Sequence, residues 1–324
     1  MPDTKRSEIA ALKVTQWLKN WSDLQFDETV HRRKPQPHFY VFGIRAAELK
    51  ALSGIQPRTI EGGLPRSEDL GIQRKHDPER SQEIHEFVQF GFPWSQLSEA
   101  KRSSGDYADL RKPGWLPTSI VVNILLKTDT RQSRTVAPED VVDVEDRDAA
   151  GASIILPATF KALNWKCQAG HLPPIEIVDG QHRLGAFVED LEGADYQLPV
   201  VAFHGLDISW QAYLFYTINI KPKKINASLA FDMYPLLRTE DWLERFEGHS
   251  VYRETRAQEL TEALWVHPES PWKGRINMLG EKGRRYPSQA GWVRSLLASY
   301  VRLCVASIMA RSGAYSGLKL AKTN

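Results

Sequence analysis

Between Pro117 and Lys127 the chain reads Thr-Ser-Ile-Val-Val-Asn-Ile-Leu-Leu, an apolar and largely β-branched run broken by one asparagine. A run this short and this continuous is a buried strand, and it demands covering layers around it. Pro174-Ile-Glu-Ile-Val178 reads as a second strand and Gln197–Phe203 as a third. A β-rich run spans His38–Ile44, and Ile154–Leu156 resumes the sheet. Helical patterns cover Ala46–Leu52 and a segment from Pro78, with Asp77 as its N-cap and proline at its first position. Another helix fits from Gln181 to about Leu191. Later helices fit Ser209–Tyr216, Ser228–Leu237, Arg253–Leu264 and Gln289 to about Ala310. Strands gather in the first two-thirds and helices in the last third. That order predicts an α+β core followed by a helical C-terminal portion.

Other segments carry weaker signals. Residues from Ser7 to Trp21 read as an amphipathic helix, capped by Ser7, with Ile9, Leu12, Trp17, Leu18 and Trp21 on one face. The prolines at 35 and 37 break the chain after it, and residues 53–78 read as loop. Residues 139–148 hold six acids and one base without a periodic stripe, which predicts a solvated insertion. The expected organisation is a helical extension at 1–37, a core domain at 38–240 with an acidic insertion near 127–152, and a helical region at 241–324.

Composition excludes several classes. The 324 residues are 42% hydrophobic and 25% charged, so the chain is not disordered, collagenous or a coiled coil. With 42 Lys plus Arg against 40 Asp plus Glu, any polyanion surface has to be a local patch. Such a patch lies at 273–302, with seven basic residues and one acid interleaved with Tyr286, Trp292 and Tyr300. Lys282, Arg284 and Arg285 are its candidate phosphate contacts; an ordinary basic helix face fits the same residues. Cys167 and Cys304 form no disulfide framework, and no apolar run reaches the ~18–20 residues of a membrane span. The expectation is a soluble, cytoplasmic protein that engages no membrane. No Walker P-loop, dinucleotide fingerprint, nucleophile elbow or paired-histidine zinc helix is present. Cys167 and His171 lack the second pair a zinc site needs.

The chemistry concentrates in Ile175-Glu-Ile-Val-Asp-Gly-Gln-His-Arg-Leu-Gly185. An apolar strand ends at Val178, Asp179 and Gly180 make a turn, and a helix starts near Gln181. Backbone N–H groups at such a start attract anions, and Arg183 adds a forked phosphate donor. Gly180 lets a ligand approach the backbone, and Gln181 and His182 supply further donors. Asp179 is placed to hold magnesium or orient water. An ordinary turn with Asp179 as N-cap fits the same residues.

Asp179-Gly-Gln-His-Arg183 is identical to the pentapeptide that names the DGQHR-domain family, whose members include the DndB proteins of DNA phosphorothioation and the DpdB proteins of 7-deazaguanine DNA modification. Leu214-Phe-Tyr-Thr-Ile-Asn219, followed by the basic Lys221–Lys224 stretch, resembles a second family segment. Gln73-Arg74 and Arg80 resemble a third, less specific one. Together they cover about residues 38–240. The family in turn is similar to the ParB/sulfiredoxin superfamily, and Gly180, Arg183 and Ala186 match its G-x-x-R-x-x-A nucleotide spacing. Gln181 stands where sulfiredoxin has its cysteine, so cysteine repair is not implied.

The resemblance implies an ATP-hydrolysing accessory protein of DNA hypermodification, or a DNA-binding regulator of the modification genes. On that reading Asp179, His182, Arg183 and Asn219 are catalytic, with Asp179 or Asn219 placing Mg2+. Gly180, Gln181, His182, Arg183, Arg74, Arg80 and Lys221 bind the nucleoside triphosphate. DNA is engaged directly or through a modification enzyme such as a transglycosylase. The 7-deazaguanine setting is favoured, because the tryptophan-rich N-terminal helix and long helical tail do not resemble the phosphorothioation proteins.

Overall fold

The computed structural model describes residues 6–55, 77–108, 111–187, 195–219, 226–233, 250–281 and 285–301. Among these, eight strands make one mixed sheet: β1 Glu8–Thr15, β2 His38–Arg45, β3 Ser53–Gly54, β4 Ile120–Ile124, β5 Asp143–Asp146, β6 Gly151–Ile155, β7 Ile175–Asp179 and β8 Gln197–His204. Their order across the sheet is β3-β7-β4-β8-β2-β1-β6-β5. β8 runs parallel to β4 and antiparallel to β2. The helices are α1 Ala46–Leu52, α2 Pro78–Phe90, α3 Glu99–Ser103, α4 Gln181–Gly185, α5 Ile208–Asn219, α6 Ala227–Asp232, α7 Ser250–Val266 and α8 Gln289–Ser299. The chain is α+β, as its element order predicts.

The apolar runs occupy the middle of the sheet. Every residue of β4 is buried, and Leu198, Val200 and Ala202 present the inner alternation of β8. Leu49 and Leu52 of α1 are fully enclosed on this core, where truncating either to alanine costs about 2–5 kcal/mol. Asp77 caps α2 by accepting from the Glu79 and Arg80 N–H groups, with Pro78 at the first position. Ile84 and Val88 of α2 pack on the same core.

The chain divides into two units, residues 1–97 with 111–222 and residues 98–110 with 223–324. The first holds the sheet with α1, α2, α4 and α5. The second is helical, and Ala257 of α7 packs with Val293 and Leu296 of α8. Asn226 caps α6, and Ser228 accepts the Ala290 N–H.

Several expectations need correction. Residues 8–15 are strand, not helix, because β1 pairs antiparallel with both β2 and β6 and so satisfies its backbone on both edges. Of the expected helical extension at 1–37, residues 8–15 therefore belong to the sheet, and Lys19–Asp23 and Glu28–Val30 are short 3-10 turns. Residues 139–148 are not a solvated insertion: Val141 and Val142 are buried, and β5 forms the sheet edge beside β6. Two of its acids are paired across β6, Asp146 with Lys13 of β1 and Asp143 with Arg6 just before β1, in ion pairs of 2.5 Å each. The helix after the pentapeptide stops at Gly185 rather than running to Leu191. Ser53 and Gly54, expected in a loop, add a short parallel strand to β7. Of the later helices, α5 and α7 extend past their expected limits, whereas α6 ends at Asp232 and α8 at Ser299. Among the described residues no helix is long and apolar enough to cross a membrane.

Candidate functional site

β7 delivers the pentapeptide to the edge of the core. Asp179 is its last residue, Gly180 makes the turn with φ of 97°, and α4 begins at Gln181. The turn needs glycine. A Cβ there would lie 2.7 Å from Ile120 Cδ1 and 3.1 Å from an Arg183 nitrogen. The first turn of α4 closes on the Leu184 N–H to Gly180 carbonyl bond. The amides of Gln181, His182 and Arg183 precede that bond at the start of the helix.

Arg183 reaches back over the start of β4. Its Nη1 donates to the Thr118 carbonyl (2.9 Å) and the Ser119 carbonyl (3.0 Å), and its Nη2 donates to Asp179 Oδ2 (2.6 Å). Three of its five N–H groups are used in these bonds, and the other two have no partner among the described residues. Asp179 is not a helix cap: its other oxygen, Oδ1, accepts from Asn219 Nδ2 at 3.0 Å. Asn219, the last residue of α5, also donates to the Phe215 carbonyl. Asp179, Arg183 and Asn219 thus form one cluster drawn from β7, α4 and α5.

His182 is fixed from α2. The Asp77 backbone N–H donates to His182 Nε2 (3.3 Å), so a neutral ring carries its proton on Nδ1. The Ser81 hydroxyl donates to the His182 carbonyl (3.2 Å), and His85 Nδ1 lies 2.9 Å from the Ala186 carbonyl. Gln181 points inward: its Oε1 is buried and accepts no hydrogen bond.

The turn therefore gathers Asp179, Gly180, Gln181, His182, Arg183 and Asn219. Arg80 lies exposed on the first turn of α2, where its backbone N–H serves the Asp77 cap. Arg74, Lys221, Lys282 and Arg284 lie outside the described residues. Arg285 is exposed in the second unit. The carbonyls of Thr118 and Ser119 and the hydroxyl of Ser81 carried no sequence signal, because they act through atoms every chain has or at a separation of about a hundred residues. The Asp77 cap was legible, but its contact with His182 was not.

Magnesium does not fit Asp179 as it stands. One oxygen of the carboxylate holds a guanidinium at 2.6 Å, the other an amide, and a cation in that place would oppose Arg183. Among the described residues no three His, Cys, Asp or Glu side chains come together as a metal-binding group. The Cys167 thiol points to the His171 carbonyl, 3.8 Å away, rather than joining its ring in a metal site. Comparison of the chain with protein-family models, with curated proteins and with solved structures found no match.

Proposed function

We propose that the turn from Asp179 to Arg183 binds a nucleoside triphosphate, with ATP as that nucleotide, and that the protein is an ATP-hydrolysing accessory factor of DNA hypermodification. The observation that carries the reading is Arg183. It is anchored on two carbonyls and one carboxylate, yet two of its N–H groups have no partner among the described residues, a forked donor suited to phosphate oxygens. Asp179 and Asn219 hold the fork in place, and the buried Gln181 amide is a further polar group in the same turn. No step runs through a magnesium ion held by Asp179. The 7-deazaguanine setting, with a transglycosylase as partner, keeps only the helical second unit in its favour, since Glu8–Thr15 is strand.

Isothermal titration with ATP, beside a phosphate-release assay, tests this reading. Asp179→Asn keeps the shape of the cluster but weakens the hold on Arg183. It should lower both affinity and turnover without moving the melting temperature by more than a few degrees. Unchanged binding in both Asp179→Asn and Arg183→Lys overturns the assignment.

A second reading, a DNA-binding regulator, is favoured by one observation in the helical unit. Lys273, Arg275, Arg285 and Arg294 are all exposed, and so are Tyr286 and Tyr300. Trp292 instead meets Trp272 edge-on at 4.9 Å. Changing Lys273 and Arg294 together to Glu should weaken duplex binding and flatten its salt dependence by about two phosphate contacts. Wild type that binds no duplex at low salt rules this reading out.

A further inference from the structure

Residues 17–34 and the start of α5 build an aromatic surface on the first unit that the nucleotide reading does not use. Trp17 meets Trp21 edge-on at 5.6 Å and stacks with Phe26 at 6.4 Å. Phe26 lies 6.3 Å from Trp210, and Trp210 meets Tyr213 edge-on at 6.2 Å. Two exposed cations sit over these rings. The Arg32 guanidinium is 5.3 Å from the Trp210 ring, and the Lys34 ammonium is 5.8 Å from Trp17 and 5.7 Å from Phe26.

Two rings of the row are anchored by hydrogen bonds. Trp17 Nε1 donates to the Ser22 hydroxyl and Trp210 Nε1 to the Arg33 carbonyl, so neither of these indole N–H groups is left for a ligand. Asp207 accepts the Arg33 N–H (2.8 Å), and the Arg33 guanidinium is bound to Asp129 and the Gly205 carbonyl. At the margins of the row Trp21 is 38% and Tyr213 58% exposed.

We propose that this surface docks single-stranded nucleic acid, with unstacked bases on Trp21 and Tyr213 and backbone phosphates at Arg32 and Lys34. The chemistry is that of single-strand platforms, where aromatic faces take the bases and interleaved cations take the phosphates. Bases of an intact duplex are already stacked on one another and have no free face to offer these rings. With two cations at the rings the salt slope is shallow, about −1.4 for two phosphates of a single strand. The surface is independent of the Asp179–Arg183 turn, so ATP hydrolysis without nucleic acid reports separately on that site.

The test is fluorescence titration of the full chain with oligothymidylate of about 20 nucleotides and with a matched duplex. Single strand should bind more tightly than duplex and quench tryptophan emission. Trp21→Ala and Tyr213→Ala should each weaken binding roughly 5- to 150-fold at unchanged melting temperature. Lys34→Gln should flatten the salt slope by about one contact. Equal affinity in wild type and both aromatic variants overturns the proposal. So does absence of single-strand binding at low salt, or a change of oligomeric state in the variants without nucleic acid, which would mark a protein-docking face instead.

Discussion

Arg183 Nη1 lies 2.9 Å from the carbonyl oxygen of Thr118, a residue 65 positions earlier in the chain. The bond ties the turn after β7 to the start of β4, so the residue best suited to bind phosphate also holds two neighbouring strands together at their ends. Arg183→Ala should therefore cost about 1.5–3 kcal/mol of stability through its charge-assisted bonds. Arg183→Lys should recover part of that cost, since a single ammonium cannot span both carbonyls and the carboxylate. Urea midpoints of the three proteins check this; equal midpoints would show that the bonds add nothing.

Gly180→Ala strains the same turn from the backbone side. Its φ of 97° and the 2.7 Å approach to Ile120 Cδ1 place the added methyl in a filled space. The expected loss is about 1–3 kcal/mol from the backbone alone, with packing strain in addition. Gly105→Ala is the control, because Gly105 has φ of 79° but nothing within 4 Å of its Cβ position. The Gly180 variant should be the less stable of the two by thermal melting.

Glu176, buried in β7, accepts hydrogen bonds from both prongs of Arg131 at 2.9 Å and from Gln211 Nε2 at 3.0 Å. Removing the acid alone, in Glu176→Leu, leaves a guanidinium in a nearly closed site and should cost about 3–5 kcal/mol. The double change Glu176→Leu with Arg131→Met should cost less than Glu176→Leu by itself. Chemical denaturation of the single and double variants measures the difference.

Burial pushes the imidazole of His204 below the ordinary histidine range, and burial with the Lys13 charge does the same for His38. A histidine held neutral in the folded state takes up its proton more readily when unfolded. Stability is therefore fully present above about pH 6.5 and is lost as pH falls below it. The hydrogen-bonded carboxylates of Asp27, Asp146 and Asp148 are held low, so their loss comes only near pH 4 and below. Between pH 7.5 and 5.5 the melting temperature should fall, and His204→Gln should flatten that fall.

What the sequence revealed followed burial. β4 and β7 announce themselves as apolar runs because both of their faces are covered, β8 alternates buried with less buried residues, and the Asp77–Pro78 cap of α2 is a local device readable in two residues. β1 was obscured because Ile9, Leu12, Trp17 and Leu18 also fit a helical face. Its true alternation is faint, with Ala11 buried and the larger Leu12 at 63% exposure, and its two sheet partners decide the matter. β5 was obscured by its acids, which are legible as strand only beside Arg6 and Lys13. In the pentapeptide the backbone turn was legible from Asp179-Gly180, whereas the partners of Arg183 and His182 come from residues about 65 and 105 positions away.

The sheet order has a consequence for how the chain is made. Among the described residues β8 is the last strand in sequence, yet it lies between β4 on one side and β2 on the other. Until residues 197–204 leave the ribosome, β3-β7-β4 and β2-β1-β6-β5 are two separate ribbons, each with a hydrophobic central strand exposed along its edge. Such edges pair with other chains. A nascent or truncated product ending before Gln197 should thus be a substrate for chaperones and prone to aggregate, and the two ribbons become one sheet only when the final strand slots between them.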